Sequence, residues 1–233
     1  MGGGFDATGK RMALMPETET KRLFTALFPP AHILAGLAAA VAGLGQGLPA
    51  RAIRWTRPEQ IHLTLNFLGA IATARIPEIQ SALSAACAGH RRHTVRVAGL
   101  GCFPNRSRPR IIWAGLAGDL RPVEDLKKAM DAGLLACGCV GEDRPFHAHL
   151  TAGRVSELNA AGRRQVAEAL ARDQERDFGE WEVGRMDLMQ SVLSPQGAAY
   201  SVLQSIPLED FPAQGPKAIP GDSAGAFRLP GQR

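Results

Sequence analysis

The stretch Ile61–Gly69 reads IHLTLNFLG, and its His-Leu-Thr returns in Phe146–Gly153, which reads FHAHLTAG. In the first stretch large apolar residues alternate with His62, Thr64 and Asn66. That is the period of a half-buried strand, and Gly69 is expected to close it. Side chains at i and i+2 of a strand share a face, so each His-Leu-Thr sets an imidazole beside a hydroxyl. If the two strands are equivalent members of two lobes, both pairs face one shared cleft.

Outward from the first motif, Arg22–Phe28 (RLFTALF) reads as a strand stopped by Pro29 and Pro30, followed by an Ala-rich helix over Ala31–Gly45. A helix is expected near Pro77–Ala88, then strands near Thr94–Leu100 and Arg110–Gly115. Around the second motif the pattern predicts a helix over Pro122–Ala136, a strand over Phe146–Ala152 and a helix over Ala160–Arg172. Strands near Val183–Leu193 and Ala199–Ile206 follow. Strands and helices mix in both halves without sustained βαβ alternation, which points to α+β. Residues 1–20 read as a disordered leader and 212–233 as a flexible Pro/Gly-rich tail, leaving one folded domain over 21–211.

Among 233 residues, 27 Lys and Arg stand against 22 Asp and Glu, a net charge of +5. Such an excess permits a polyanionic ligand without requiring one. The four cysteines, at 87, 102, 137 and 139, fit no disulfide framework and no zinc ribbon, and Cys137 and Cys139 read as small apolar residues at a helix end. No secretory h-region or membrane span is legible, so a cytoplasmic, membrane-free monomer is expected.

Two imidazoles facing one ligand suit phosphoryl chemistry. A neutral ring takes a proton from attacking water while a protonated ring gives one to the departing oxygen, and only histidine holds both forms near neutrality. Hydroxyls and a nearby cation stabilise the non-bridging oxygens as charge builds there. The competing reading is a metal site of His62, His147 and His149. No His-Glu-x-x-His and no acidic cluster accompanies them, and a metal leaves the two threonines unexplained. His32, His90 and His93 lack such a context and are expected on the surface. The loop Asn105–Arg110 (NRSRPR) reads as a solvated turn or a track for an RNA backbone. Among aromatics near the motifs, Phe67 and Phe146 are expected in the core.

The segment Trp55–Gly69 (WTRPEQIHLTLNFLG) resembles the first motif of the RNA 2′,3′-cyclic phosphodiesterases, historically called 2′-5′ RNA ligases, of the 2H phosphoesterase superfamily. Arg144–Arg154 (RPFHAHLTAGR) resembles that family's second motif, with Ala148 where a proline is common. The likeness runs over about residues 22–208. It implies a bilobal α+β fold in which antiparallel sheets related by a pseudo-twofold axis flank a central cleft. It further implies His62 and His149 as catalytic residues, with Thr64, Thr151 and Arg154 as substrate contacts. No metal and no cofactor is implied. The expected partner is an RNA with a 2′,3′-cyclic phosphate end, opened to a 2′-phosphate. The alternatives are another cyclic phosphate, reversible 2′-5′ ligation, or a non-catalytic RNA-binding module.

Overall fold

The computed structural model describes residues 19–49, 51–139, 145–156, 158–195 and 197–210. Apart from Glu19 and Thr20, the expected leader lies outside the described residues, as do the expected tail and Arg144. In chain order the elements are β1 (Thr20–Leu27), α1 (Ala31–Gly45), β2 (Ile53–Trp55), β3 (Leu63–Ala72), α2 (Ile76–Cys87), β4 (His93–Phe103) and β5 (Ile111–Ala117). They continue with α3 (Arg121–Ala136), β6 (His149–Val155), α4 (Ala160–Arg172), β7 (Asp177–Val183), β8 (Arg185–Ser194) and β9 (Gly197–Pro207).

The strands form a single sheet in the order β7-β4-β5-β6-β3-β1-β8-β9, with β2 paired to β6. All of these pairings are antiparallel. The order reads outward alike from the β6/β3 seam, four strands on each side, which is the pseudo-twofold arrangement the family resemblance implies. The helices reinforce it by crossing over. The helix after β1, α1, packs on β7 and α4 in the opposite half, whereas α3, after β5, packs on α2 and β3.

Each helix is placed by an apolar stripe. Ile33, Leu37, Ala40 and Leu44 are the buried face of α1, and Val123, Leu126, Met130 and Leu134 that of α3. In α4 the Asn159 side chain caps the first turn by accepting from the Gly162 amide at 2.8 Å. These stripes meet the sheet in one continuous core with Leu23, Leu27, Leu63, Val97, Ile112 and Leu150. Burying each such leucine contributes about 1.5–3 kcal/mol. A smaller cluster, Phe24, Ala26 and Met189 with Phe28 and Tyr200, occupies the other face.

Gly69 does not end its strand. It sits within β3 opposite Leu23 at φ +71°, and β3 continues to Ala72. Two short or irregular strands, β2 and β7, were not legible in the pattern. His32 is exposed as expected, but His90 and His93 are half-buried. The four cysteines are free, with Cys139 buried and Cys137 partly so.

Register in the second half is held by a wedge. Trp55 of β2 lies over Gly153 of β6, its Cα partner, and a Cβ built on Gly153 would come within 2.7 Å of the indole. Gly153→Ala is therefore expected to destabilise the protein by about 1–3 kcal/mol, the usual cost of overpacking. Urea denaturation measures it, and a change below about 0.5 kcal/mol would mean that Trp55 yields freely.

Candidate active site

At the seam, β3 and β6 touch through one pair, Leu63 opposite Leu150, and both leucines are fully buried toward the helices. Because strand side chains alternate, the residues flanking each leucine turn to the other face. Continuing the antiparallel register sets His62 against Thr151 and Thr64 against His149. The four residues of the repeated motif therefore share the face opposite the main core, on either side of the seam.

A β-bulge follows each motif at the same place. In β3, Asn66 pairs with Thr25 and Thr64 with Ala26, leaving Leu65 extra. In β6, Gly153 pairs with Ile112 and Thr151 with Trp113, leaving Ala152 extra. An extra residue shifts the alternation by one. Arg154, which strict alternation from His149 would turn toward the core, pairs with Ile111 on the motif face and is exposed. The equivalent position in the first half is Phe67, five residues after His62. It shares the face of its partner Phe24 and is 52% exposed, so it is not the core residue expected from strand period. Phe146, by contrast, packs against the main core.

Both imidazoles are oriented alike. His62 Nδ1 lies 2.7 Å from the Gln60 carbonyl oxygen and His149 Nδ1 2.7 Å from that of His147. A carbonyl only accepts, so each Nδ1 carries the proton and donates, which leaves Nε2 as the nitrogen of the neutral ring able to accept a proton. Each ring also sits among aromatics. Phe24, Phe28 and Tyr200 have ring centroids 5.0, 5.4 and 5.6 Å from that of His62. Phe103 and Trp113 lie 5.1 and 6.5 Å from His149. Burial in these surroundings lowers both pKa values below the ordinary 6.5. The bonds to the Gln60 and His147 carbonyls oppose the shift, and the charge of His149 adds to the lowering at His62.

His147 takes part through its backbone oxygen, while its exposed ring lies 6.0 Å from Phe103. Among the described residues no group of three His, Cys, Asp or Glu side chains is arranged to hold a metal ion.

One connection has no counterpart in the sequence reading. The side chain of Asn66, two residues past Thr64, donates from Nδ2 to Asp131 Oδ1 on α3 at 2.5 Å, and Lys127 bonds the same carboxylate at 2.5 Å. Lys127 Nζ also lies 5.8 Å from the Phe146 ring centroid, three residues before His149. Helix α3 thus braces both motifs from behind. Asn66 is itself held in place by the fully buried Thr25, whose hydroxyl oxygen accepts from the Asn66 amide at 3.0 Å.

An α+β fold whose two halves each offer a histidine and a threonine to one face defines a class of phosphoesterase, and comparison with known proteins supports it. Residues 27–113 match the family model described as LigT like phosphoesterase. The RNA 2′,3′-cyclic phosphodiesterase of Thermus thermophilus is 32% identical over 214 residues, covering 85% of this chain and 98% of its own. That of Archaeoglobus fulgidus is 32% identical over 152 residues, 65% of this chain and 82% of its own. The crystal structure of E. coli LigT complexed with 3′-AMP superposes with a TM-score of 0.63 at 26% identity, covering 82% of this chain and 99% of that one. The chain belongs to the LigT-like family of RNA 2′,3′-cyclic phosphodiesterases within the 2H phosphoesterases, and it is an enzyme of the phosphoesterase type.

Imidazole NMR of the free protein tests this electrostatic picture. The His62 and His149 resonances should titrate below about 6.5, with nitrogen shifts of the Nδ1–H tautomer at high pH. With folded-state values lowered, the two histidines' contribution to stability is whole above pH 6.5 and is lost as pH falls through the folded-state values. Titration at or above 6.5 would contradict the burial argument.

Proposed function

We propose that this chain hydrolyses 2′,3′-cyclic phosphate ends of RNA to 2′-phosphate ends, with His62 and His149 as paired acid and base. The observation that carries the reading is the matched geometry: two Nδ1-tethered imidazoles, each beside a threonine hydroxyl, on one face across one seam. The family relationship, and the 3′-AMP held by E. coli LigT, favour a nucleotide phosphate as the ligand.

In the proposed reaction, water attacks phosphorus as one neutral Nε2 accepts its proton, and the P–O3′ bond breaks as the other, protonated, ring gives its proton to O3′. One phosphate ester bond is exchanged for another P–O bond, and the two histidines end with their protonation states swapped. Exchange with solvent resets them. Thr64, Thr151 and Arg154 hold the non-bridging oxygens as negative charge builds there, where charge-assisted bonds are strongest. The lowered pKa values suit the ring that acts as base. The anionic substrate raises the value of the ring that must act as acid. The proposal includes a cytoplasmic monomer acting without a metal. No described helix is long and apolar enough to cross a membrane.

The test is to incubate the purified chain with an oligonucleotide ending in a 2′,3′-cyclic phosphate, with and without EDTA, and to identify the product end by phosphorus NMR. A 2′-phosphate formed at a rate EDTA leaves nearly unchanged is expected. A 3′-phosphate would reverse the assigned leaving oxygen, and loss in EDTA with recovery on adding zinc would overturn the metal-free mechanism.

A further inference from the structure

Arg54 of β2 and Arg154 of β6 are direct cross-strand partners, so both side chains leave the sheet on the same face. Through its pairing with Ile111, Arg154 already lies on the face of His149 and Thr151, and Arg54 therefore lies there too. Like charges placed directly opposite one another in a sheet repel. No carboxylate relieves them: among the described residues no ion pair reaches either guanidinium, although Arg57, three residues on, has Glu59 at 3.3 Å.

The strand cannot slip to separate them. Thr56 donates its amide to the Ala152 carbonyl at 2.9 Å on one side of the pair, and Ser156 donates to the Ala52 carbonyl at 2.9 Å on the other. Between these bonds, Ile53 is buried and the Trp55 ring lies over Gly153. Two exposed cations are thus held together by the fold, with nothing from the described chain to neutralise them.

The row continues across the sheet as Arg54, Arg154, Ile111 and Phe103, each opposite the next. Phe103 in turn borders His149 and Trp113, with ring centroids 5.1 and 5.3 Å away. A paired cation at one end of a row and flat aromatic surface at the other is the combination that binds single-stranded nucleic acid, the cations taking phosphates and the rings taking bases.

We infer that Arg54 forms a second phosphate site beside Arg154, which takes the internal phosphodiester adjoining the cyclic end. The preferred substrate is then an RNA strand of two or more nucleotides, above a mononucleoside cyclic phosphate. The inference rests on the hydrolase reading, but its ligand, an internal phosphodiester, is distinct from the reacting group. Arg154 is shared between the two phosphates.

The full chain and its Arg54→Ala and Arg54→Lys variants are compared on a mononucleoside 2′,3′-cyclic phosphate and on a tetranucleotide with the same end. The wild type should favour the tetranucleotide. Arg54→Ala should reduce that preference roughly ten-fold, mainly through KM, as expected for one charge-assisted contact. It should also flatten the salt dependence of oligonucleotide binding by about 0.7 in log–log slope, and Arg54→Lys, which keeps the charge, should restore most of that slope. Equal losses on both substrates, no loss on either, or a wild type without preference would overturn the inference. If the wild type turns over neither substrate, the hydrolase reading fails. The arginine pair is then judged by fluorescence anisotropy of a 3′-phosphorylated tetranucleotide, where unweakened binding by Arg54→Ala overturns it.

Discussion

The pairing of Leu63 with Leu150 is the constraint on which the site depends. It is the point where β3 meets β6, and it joins the two halves of the sheet at their axis. Both leucines are drawn fully into the core by the apolar faces of the crossing helices. Backbone alternation then leaves His62, Thr64, His149 and Thr151 no face but the opposite one. The polar quartet is positioned by the hydrophobic effect acting on its neighbours. A one-residue slip at this seam would exchange every member of the quartet for a core residue.

The bulges extend that logic along each strand. Leu65 and Ala152 occupy equivalent places and return the residue five positions past each histidine to the motif face. There the symmetry of the backbone ends in an asymmetry of chemistry, with exposed Phe67 in one half and Arg154 in the other. Aromatic surroundings differ as well: Phe24, Phe28 and Tyr200 enclose His62, while Phe103 and Trp113 border His149. A twofold frame thereby presents a ligand with unlike sides.

The helices and both motifs were legible in the sequence because their signals are local. Stripes such as Ile33, Leu37 and Leu44 identify a helix without reference to its partners, and a repeated His-Leu-Thr needs no structure to be noticed. What escaped depends on pairing. The three residues of β2 include the charged Arg54, and their strand character comes from β6 alone. In β7, Gly179 at φ +108° interrupts the alternation of Phe178, Trp181 and Val183. Phe67 was misread because a strict period of two cannot reveal an extra residue. The same period would have turned Arg154 away from the cleft, so its assignment came from resemblance to the family. The bulge at Ala152 returns the Arg154 side chain to the face of His149. The brace from Asn66 through Asp131 and Lys127 to Phe146 joins residues far apart in the chain, and no local pattern announces it.

In the proposed mechanism two imidazoles exchange protons with one substrate in the same turnover. Its most direct test is the pH dependence of kcat/KM on a cyclic-ended oligonucleotide, for the wild type and for His62→Ala and His149→Ala variants shown by circular dichroism to be folded. A bell-shaped wild-type profile is predicted, with each variant slowed roughly 10²–10⁴-fold and each lacking a different limb of the bell. A folded single variant with wild-type turnover, or both variants retaining both limbs, would contradict the account.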